Sequence, residues 1–122
     1  MVFEERVING VRFRRVCRSV DISERRGHRI DISLHQDVAL FRVNGVVKAV
    51  SNVCPHKHEP VLCNGVVADG TVQCPLHGWT YDLTSGLPLV GSAGLKTFHV
   101  FEDAGHVWLE VEDDEPPRWA SW

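Results

Sequence analysis

The sequence lacks the features that place a protein in or across a membrane. No window of the 122 residues approaches the ~20 consecutive apolar residues of a membrane-spanning helix. The opening residues MVFEERV include two adjacent glutamates and form no apolar run of signal-peptide length. The net charge of -3 gives no basic field for nucleic acid or an anionic membrane. We therefore expect a soluble, cytoplasmic protein with neither membrane nor nucleic acid as its partner.

Helical periodicity is almost absent as well. The only candidate helix covers residues 19–27 and is short enough to be a single turn. A chain with 43% apolar and 24% charged residues fits one globular domain. We assign that domain to residues 1–115, which end in an acidic run, and the Pro-rich segment PPRWASW, residues 116–122, to a C-terminal tail. The pattern does not decide whether Trp119 and Trp122 fold back or bind a partner.

The sequence does contain many short alternating segments that are typical of β-strands. Asn44-Gly45 and Asp69-Gly70 are strong signals for two-residue hairpin turns. The segments predicted as strands are 11–16, 29–34, 38–43, 46–50, 66–73 around its Asp-Gly turn, 97–102 and 106–111. Short strands with such turns predict an all-β antiparallel domain, either a sandwich or a small barrel.

Cysteine and histidine concentrate in two short motifs. Cys54-x-His56 and Cys74-x2-His77 are separated by seventeen residues, and each motif follows a predicted strand, 46–53 or 71–73. Two such loops at one end of a β domain can converge on one metal centre. In a reducing compartment thiols bind metal more often than they form disulfides. We therefore predict these four side chains as metal ligands.

The residue types leave the metal open. Two thiolates and two imidazoles suit tetrahedral zinc, and they also suit a [2Fe–2S] cluster with mixed ligands. Zinc fingers usually place their two cysteines together and their two histidines together. Here each short loop contributes one of each, which allows the cysteines to hold one iron and the histidines to hold the other.

These two motifs, followed by Gly78-Trp-x-Tyr-Asp82, resemble those of the Rieske iron–sulfur family. The resemblance implies a Rieske fold with a cluster-binding part over about residues 51–90 and one [2Fe–2S] cluster per chain. It assigns Cys54 and Cys74 to the inner iron, and His56 and His77 to the outer iron near the surface.

Two departures separate the sequence from the high-potential members of that family. Those members carry an extra cysteine in each cluster loop, where this chain has Glu59 and Leu76, so their inter-loop disulfide is absent. They also carry a serine that donates a hydrogen bond to the cluster, where this chain has Trp79. Tyr81 stands at the position of their conserved tyrosine donor. The resemblance therefore points to the low-potential branch.

Other residues near the motifs have less specific assignments. His58 offers an alternative register, Cys54-x3-His58, but the family spacing favours His56. We expect Lys57, His58 and Glu59 to form an exposed rim where a redox partner docks. Residues 86–88 resemble the family's third, proline-containing loop. Leu76, Trp79 and Pro88 are predicted to shield the cluster, and Cys17 and Cys63 to be small buried apolar residues.

The resemblance implies a one-electron carrier, a Rieske-type ferredoxin, rather than an enzyme. Such a carrier passes electrons from a flavoprotein reductase to a terminal oxygenase, typically of the ring-hydroxylating type, and we expect it to be a monomer. One alternative is the small subunit of an assimilatory nitrite reductase, and another is a metal-stabilised interaction module. A terminal oxygenase would need a mononuclear iron on a further large domain, for which no residues remain.

A redox titration tests the low-potential assignment. Losing a hydrogen-bond donor to the cluster raises its electron density and lowers its potential. We predict a midpoint potential of roughly −150 to 0 mV, in the lower part of the Rieske range. A midpoint above roughly +150 mV contradicts the assignment.

Overall fold

The computed structural model describes residues 4–33, 36–55, 59–76 and 78–112, and nearly all of their regular structure is β-strand. In chain order the strands are β1 (Glu5–Ile8), β2 (Val11–Arg18), β3 (His28–Ser33), β4 (Gln36–Val43), β5 (Val46–Ser51), β6 (Val66–Ala68), β7 (Thr71–Gln73), β8 (Thr80–Asp82), β9 (Pro88–Val90), β10 (Thr97–Phe98), β11 (Val100–Asp103) and β12 (His106–Glu110). Two single-turn 3₁₀ helices span Ser19–Asp21 and Leu62–Asn64. None of the helices in these residues is long and apolar enough to cross a membrane.

The strands form three antiparallel four-stranded sheets. Sheet I has the order β1-β2-β12-β11, sheet II has the order β10-β5-β4-β3, and sheet III has the order β6-β7-β8-β9. Sheets I and II enclose one core, whereas sheet III is a separate layer built from residues 66–90. The prediction of an all-β antiparallel domain is confirmed.

Tight hairpin turns set the register of the sheets. The predicted turns at Asn44-Gly45 and Asp69-Gly70 are confirmed, with φ of 50° and 82° in the first and 49° and 75° in the second. Positive φ at both turn positions is the type I′ geometry, which matches the twist of the flanking strands. Asn9-Gly10 has the same geometry and joins β1 to β2, a hairpin that was not predicted although the dipeptide signals it.

The prediction of one strand over residues 97–102 is wrong. β10 pairs with β5 in sheet II, whereas β11 pairs with β12 in sheet I. Between them the N–H of His99 donates to Oε1 of Glu110 (3.0 Å), and the N–H of Glu110 donates to the carbonyl of His99 (2.9 Å). The chain therefore crosses from one sheet to the other at His99. In the candidate helix over 19–27, only Ser19–Asp21 is helical.

β4 is buried on both faces and separates two hydrophobic cores. Val38 and Leu40 face the core between sheets I and II, together with residues of β12. Ala39 and Phe41 face the opposite way, into a core that contains the two motif cysteines and residues of sheet III. β4 thus connects the core between sheets I and II to the core that contains the motif cysteines and residues of sheet III.

Asn52 connects the end of β5 to the segment between the two cysteine motifs. Its side-chain amide donates to Oδ1 of Asp37 (3.0 Å), and its side-chain oxygen accepts from the N–H of Cys63 (2.7 Å). Its backbone N–H donates to the carbonyl of Asp37 (2.8 Å), and its carbonyl accepts from the N–H of Leu62 (3.1 Å). Because Asn52 is fully buried, these bonds have no competing water.

Replacing Asn52 tests this connection. Asn52→Ala removes the acceptor of the Cys63 N–H and the donor to Asp37 from a fully buried position, so we expect a loss of about 2–3 kcal/mol in the free energy of unfolding. Urea unfolding followed by circular dichroism measures the loss. Asn64→Ala, at an exposed asparagine on the adjacent 3₁₀ turn, is the control and should cost at most about 0.5 kcal/mol. Equal losses for the two variants would contradict the assigned role.

Candidate metal centre

Cys54 and Cys74 meet in the core beneath sheet III. Cys74 directly follows β7, and Cys54 lies three residues after the end of β5. Both side chains are buried, and their Sγ atoms are 3.4 Å apart, whereas a disulfide bond measures about 2.05 Å. Two thiolates on one tetrahedral metal lie about 3.7 Å apart when each metal–sulfur bond is about 2.3 Å. The pair therefore fits two ligands of one metal ion.

The two cysteine loops close through the same backbone contact. The N–H of Cys54 donates to the carbonyl of Glu59 (2.9 Å), and the N–H of Cys74 donates to the carbonyl of Trp79 (2.7 Å). Each bond joins residue i to residue i+5, so the first loop encloses His56 and His58 in sequence and the second encloses His77. A bridge between Val53 and Pro60 closes the base of the first loop. Loops of equal size therefore present both cysteines to the same core.

Tyr81 of β8 places a phenol beside the cysteines. Its side chain is fully buried, and among the described residues its hydroxyl has no hydrogen-bond partner of standard geometry. Burial raises the pKa of Tyr81 well above its usual value, and the neighbouring Cys54 raises it further. The hydroxyl therefore stays protonated as a buried donor, which suits a site where cysteine sulfurs carry negative charge.

Several predicted site residues lie outside the described residues. These are the histidine ligands His56 and His77, the alternative ligand His58, and the rim residue Lys57. Trp119 and Trp122 of the predicted tail also lie outside them. Within the described ranges, no group of three or more Cys, His, Asp or Glu side chains is arranged to hold a metal. The histidine ligands therefore stay predictions, beside a cysteine pair whose geometry fits.

The residues predicted to shield the site occupy different positions. Trp79 is half-buried against the core that contains both cysteines, and Pro88 is half-buried opposite Tyr81 in the β8–β9 register. Leu76 and Glu59 are exposed. The structure thus places Trp79 beside the cysteine core and Pro88 opposite Tyr81, and shielding of a cluster by these residues stays a prediction.

Trp79 also rests on Gly91, a contact that the sequence did not indicate. A Cβ atom at Gly91 would lie 2.5 Å from Cε3 of the indole, and the φ of Gly91 is 121°. Only glycine therefore fits under the ring in this conformation. The contact holds the second cysteine loop against the segment that follows β9.

Cys17 and Cys63 were predicted to be buried, but both side chains are only half-buried. Cys17 packs at the edge of the core between sheets I and II, and Cys63 at the edge of the core that holds the motif cysteines. Burial, reinforced by the charges of Asp21 and Glu102, raises the pKa of the Cys17 thiol to about 11. Cys17 therefore remains a neutral thiol at physiological pH.

The family follows from a comparison with known domains. Residues 12–99 match the family model described as Rieske [2Fe-2S] domain. The chain belongs to the Rieske [2Fe-2S] domain family. Its cofactor is accordingly one [2Fe–2S] cluster, and the adjacent buried cysteines and the protonated Tyr81 hydroxyl fit that group.

Relatives within the Rieske family include ferredoxin subunits. The chain is 30% identical over 102 residues to the 3-phenylpropionate/cinnamic acid dioxygenase ferredoxin subunit of Shigella flexneri serotype 5b, which covers 82% of this chain and 94% of that protein. A chain from the solved complex of reduced oxygenase and oxidized ferredoxin in carbazole 1,9a-dioxygenase has a TM-score of 0.76 at 23% identity, covering 85% of this chain and 97% of that chain. A putative NADH-dependent nitrite reductase small subunit from Mycobacterium tuberculosis has a TM-score of 0.75 at 24% identity, covering 83% and 96%. The two structural likenesses establish the Rieske fold.

A substitution at Gly91 tests the seat of Trp79. In Gly91→Ala the new methyl group overlaps the indole, so we expect a cost of about 1–3 kcal/mol and faster loss of visible cluster absorption on heating. Gly10→Ala is the control, because Gly10 also has positive φ (80°) but no atom lies within 4 Å of the added carbon. In a Trp79→Ala background the effect of Gly91→Ala should shrink. An undiminished effect there would show that backbone strain, not the ring, is responsible.

Proposed function

We propose that this protein is a one-electron carrier that passes electrons from a flavoprotein reductase to a terminal oxygenase of the ring-hydroxylating type. The observation that carries the proposal is the 30% identity to a dioxygenase ferredoxin subunit over 94% of that subunit's length. Because the similarity extends over nearly the whole length of that subunit, it supports the same role more strongly than a match to one shared domain would. The bound [2Fe–2S] cluster supplies the chemistry, which is uptake and release of a single electron.

The chain's own residues would hold the cluster in an asymmetric way. Cys54 and Cys74, both buried, would hold the inner iron, and His56 and His77 would hold the outer iron. Two neutral imidazoles in place of two thiolates make the ligand set less negative than four cysteines, which favours the reduced state. The buried hydroxyl of Tyr81 would donate a hydrogen bond to a cysteine sulfur once the cluster is bound, and the raised pKa of Tyr81 keeps its proton in place.

Three surface grooves formed by described residues lie away from the cysteine pair. One groove of about 310 Å³ runs along β5 and β10 and is lined by residues such as Lys48 and Phe98. The two smaller grooves lie between β2 and β3 and beside the turns at Asn44 and Asp69. None of these three grooves is lined by Cys54 or Cys74. A substrate bound in them would not touch the metal centre.

A nitrite reductase small subunit is the second candidate, because one such protein shares the fold at a TM-score of 0.75. The resemblance to the Rieske family implies that subunits of that kind often lack the cluster ligands. This chain has the complete Cys-His set in sequence and a cysteine pair at ligand distance. The complete set therefore favours the ferredoxin.

Substitution of the cysteines tests the metal centre itself. We expect the purified protein to be red-brown, with visible bands that dithionite bleaches and iron and sulfide in equal amounts. Cys54→Ser and Cys74→Ser should lose the cluster, since each removes a thiolate ligand. Cys63→Ser, at a half-buried cysteine of the same core, is the matched control and should keep it. A colourless protein that contains zinc would overturn the proposal.

Reconstitution tests the direction of electron flow. The protein is mixed with reductase and oxygenase components from the same genome, beginning with any encoded beside it, and with NADH or NADPH. We expect oxygenase turnover to require this protein and to stop with the Cys54→Ser variant. Support of nitrite reduction in place of oxygenase turnover would assign the protein to the second candidate function.

A further inference from the structure

The outer face of sheet I carries three aromatic rings. Val107 and Leu109 of β12 face the core between sheets I and II, so Trp108 between them points to the opposite side of the sheet. There the Trp108 ring stacks on Phe101 with the ring centres 6.2 Å apart, and Phe101 meets Phe13 edge-on at 4.9 Å. We call Phe13, Phe101 and Trp108 the aromatic face.

Two rings of the aromatic face are buried, although neither of the two hydrophobic cores described above includes them. Trp108 is 3% exposed and Phe13 is 7% exposed. The guanidinium of Arg6 lies 4.1 Å from the centre of the Trp108 ring and covers part of it. Because these exposures are those of a single chain, no second copy is needed to shelter the rings.

Trp108 also has a buried donor without an acceptor. Its indole Nε1 is buried, and among the described residues no oxygen accepts a hydrogen bond from it. Buried N–H groups in folded proteins almost always have a partner, so this one points to an acceptor that approaches the aromatic face. Aromatic surfaces bind proline-rich segments in extended conformation, because these combine apolar rings with backbone carbonyls that have no internal partner.

We propose that the C-terminal tail folds back onto the aromatic face, with Pro116 and Pro117 against the rings and a proline carbonyl as the acceptor for Nε1 of Trp108. Trp119 and Trp122 follow the prolines and would extend the apolar cover. The inference is independent of the proposed electron-carrier function. It gives the two tail tryptophans an intramolecular role.

The tail begins within reach of the aromatic face. The described chain continues to Glu112, two residues after the end of β12, and Glu110 lies opposite Phe13 in the β12–β2 register. Trp108 lies about 7 Å back along the strand from Glu110. The five residues from Glu112 to Pro117 can span up to about 17 Å. The prolines can therefore return along the sheet without any change in it.

The other chain end offers a different chemistry. Residues 1–3, which precede β1, contain Phe3 but no proline. They could supply an apolar side chain to the aromatic face, but not a proline-rich extended segment. Phe3 is therefore the matched control for the tail.

The experiment measures hydrogen exchange at Nε1 of Trp108 by NMR, in the full-length protein with its cluster bound. The resonance is assigned by its loss in Trp108→Phe. The tail variant carries Pro116→Ser, Pro117→Ser, Trp119→Ser and Trp122→Ser, which keep the length and the charge of the chain. We expect exchange to become at least about tenfold faster in the tail variant, because the acceptor and the cover are lost. Phe3→Ser should change the exchange rate by less than about twofold.

Each outcome bears on the proposal. An unchanged exchange rate in the tail variant overturns it. Acceleration by Phe3→Ser alone would assign the cover to residues 1–3, and protection that rises with protein concentration would assign it to a second copy, so either result also overturns it.

A second measurement needs no variant and decides the matter if the tail variant fails to fold with its cluster. In the unsubstituted protein, nuclear Overhauser effects between the Trp108 ring and the ring protons of Pro116 or Pro117 support the proposal. Their absence, with the Trp108 and proline resonances assigned, overturns it.

Discussion

Two thiols from loops twenty residues apart share one buried volume, and the rest of the cysteine end is arranged around that constraint. A buried thiolate is costly in an apolar core, because burial favours the neutral form. Metal binding removes the protons and supplies the compensating positive charge. The core that surrounds Cys54 and Cys74 includes Ala39 and Phe41 of β4 and residues of sheet III. Loading of the cluster and packing of that core are therefore coupled.

Charge is distributed unevenly between the scaffold and the cysteine end. Each ion pair between described residues lies outside residues 53–95, as in Arg6–Asp103, Arg29–Asp37 and Arg42–Glu102. The Arg42 guanidinium bonds both carboxylate oxygens of Glu102 (2.9 and 3.1 Å) and thereby joins β4 to β11. This contact lowers the pKa of Glu102. Among the described residues, ion pairs thus connect the strands of sheets I and II. Sheet III and the two cysteine loops are held by apolar packing and hydrogen bonds.

The parts of the structure that were predictable depend on neighbouring residues in the sequence. Asn44-Gly45 and Asp69-Gly70 specify their turns locally, and the Cys-His motifs specify ligand types and spacing within single loops. The missed features depend on partners far along the chain. The sheet change at His99 requires Glu110, and the buried position of Asn52 requires Asp37 and Cys63.

The contact between Trp79 and Gly91 was also missed, because it joins residues twelve positions apart and depends on where the chain leaves β9. Val50, two residues before Asn52, and Val53, directly after it, were the one signal that this polar residue lies in an apolar segment. For Gly91 the sequence offered none beyond the glycine itself. The sequence thus allowed the metal-ligand motif of the second cysteine loop to be predicted, but not the contact with Gly91 that supports this loop.

Trp79 and Tyr81 together connect this support to the expected redox behaviour. High-potential Rieske proteins have a serine donor where this chain has Trp79, and the indole here packs on Gly91 and the cysteine core. Tyr81 remains as a hydroxyl donor beside Cys54, and burial prevents it from ionising. We expect the exchange of a donor for an aromatic ring to leave more electron density on the cluster and to make the reduced state a stronger electron donor. The same ring contacts Gly91, directly after β9, so we expect the Trp79 side chain to affect both the packing of the second cysteine loop and the potential of the cluster.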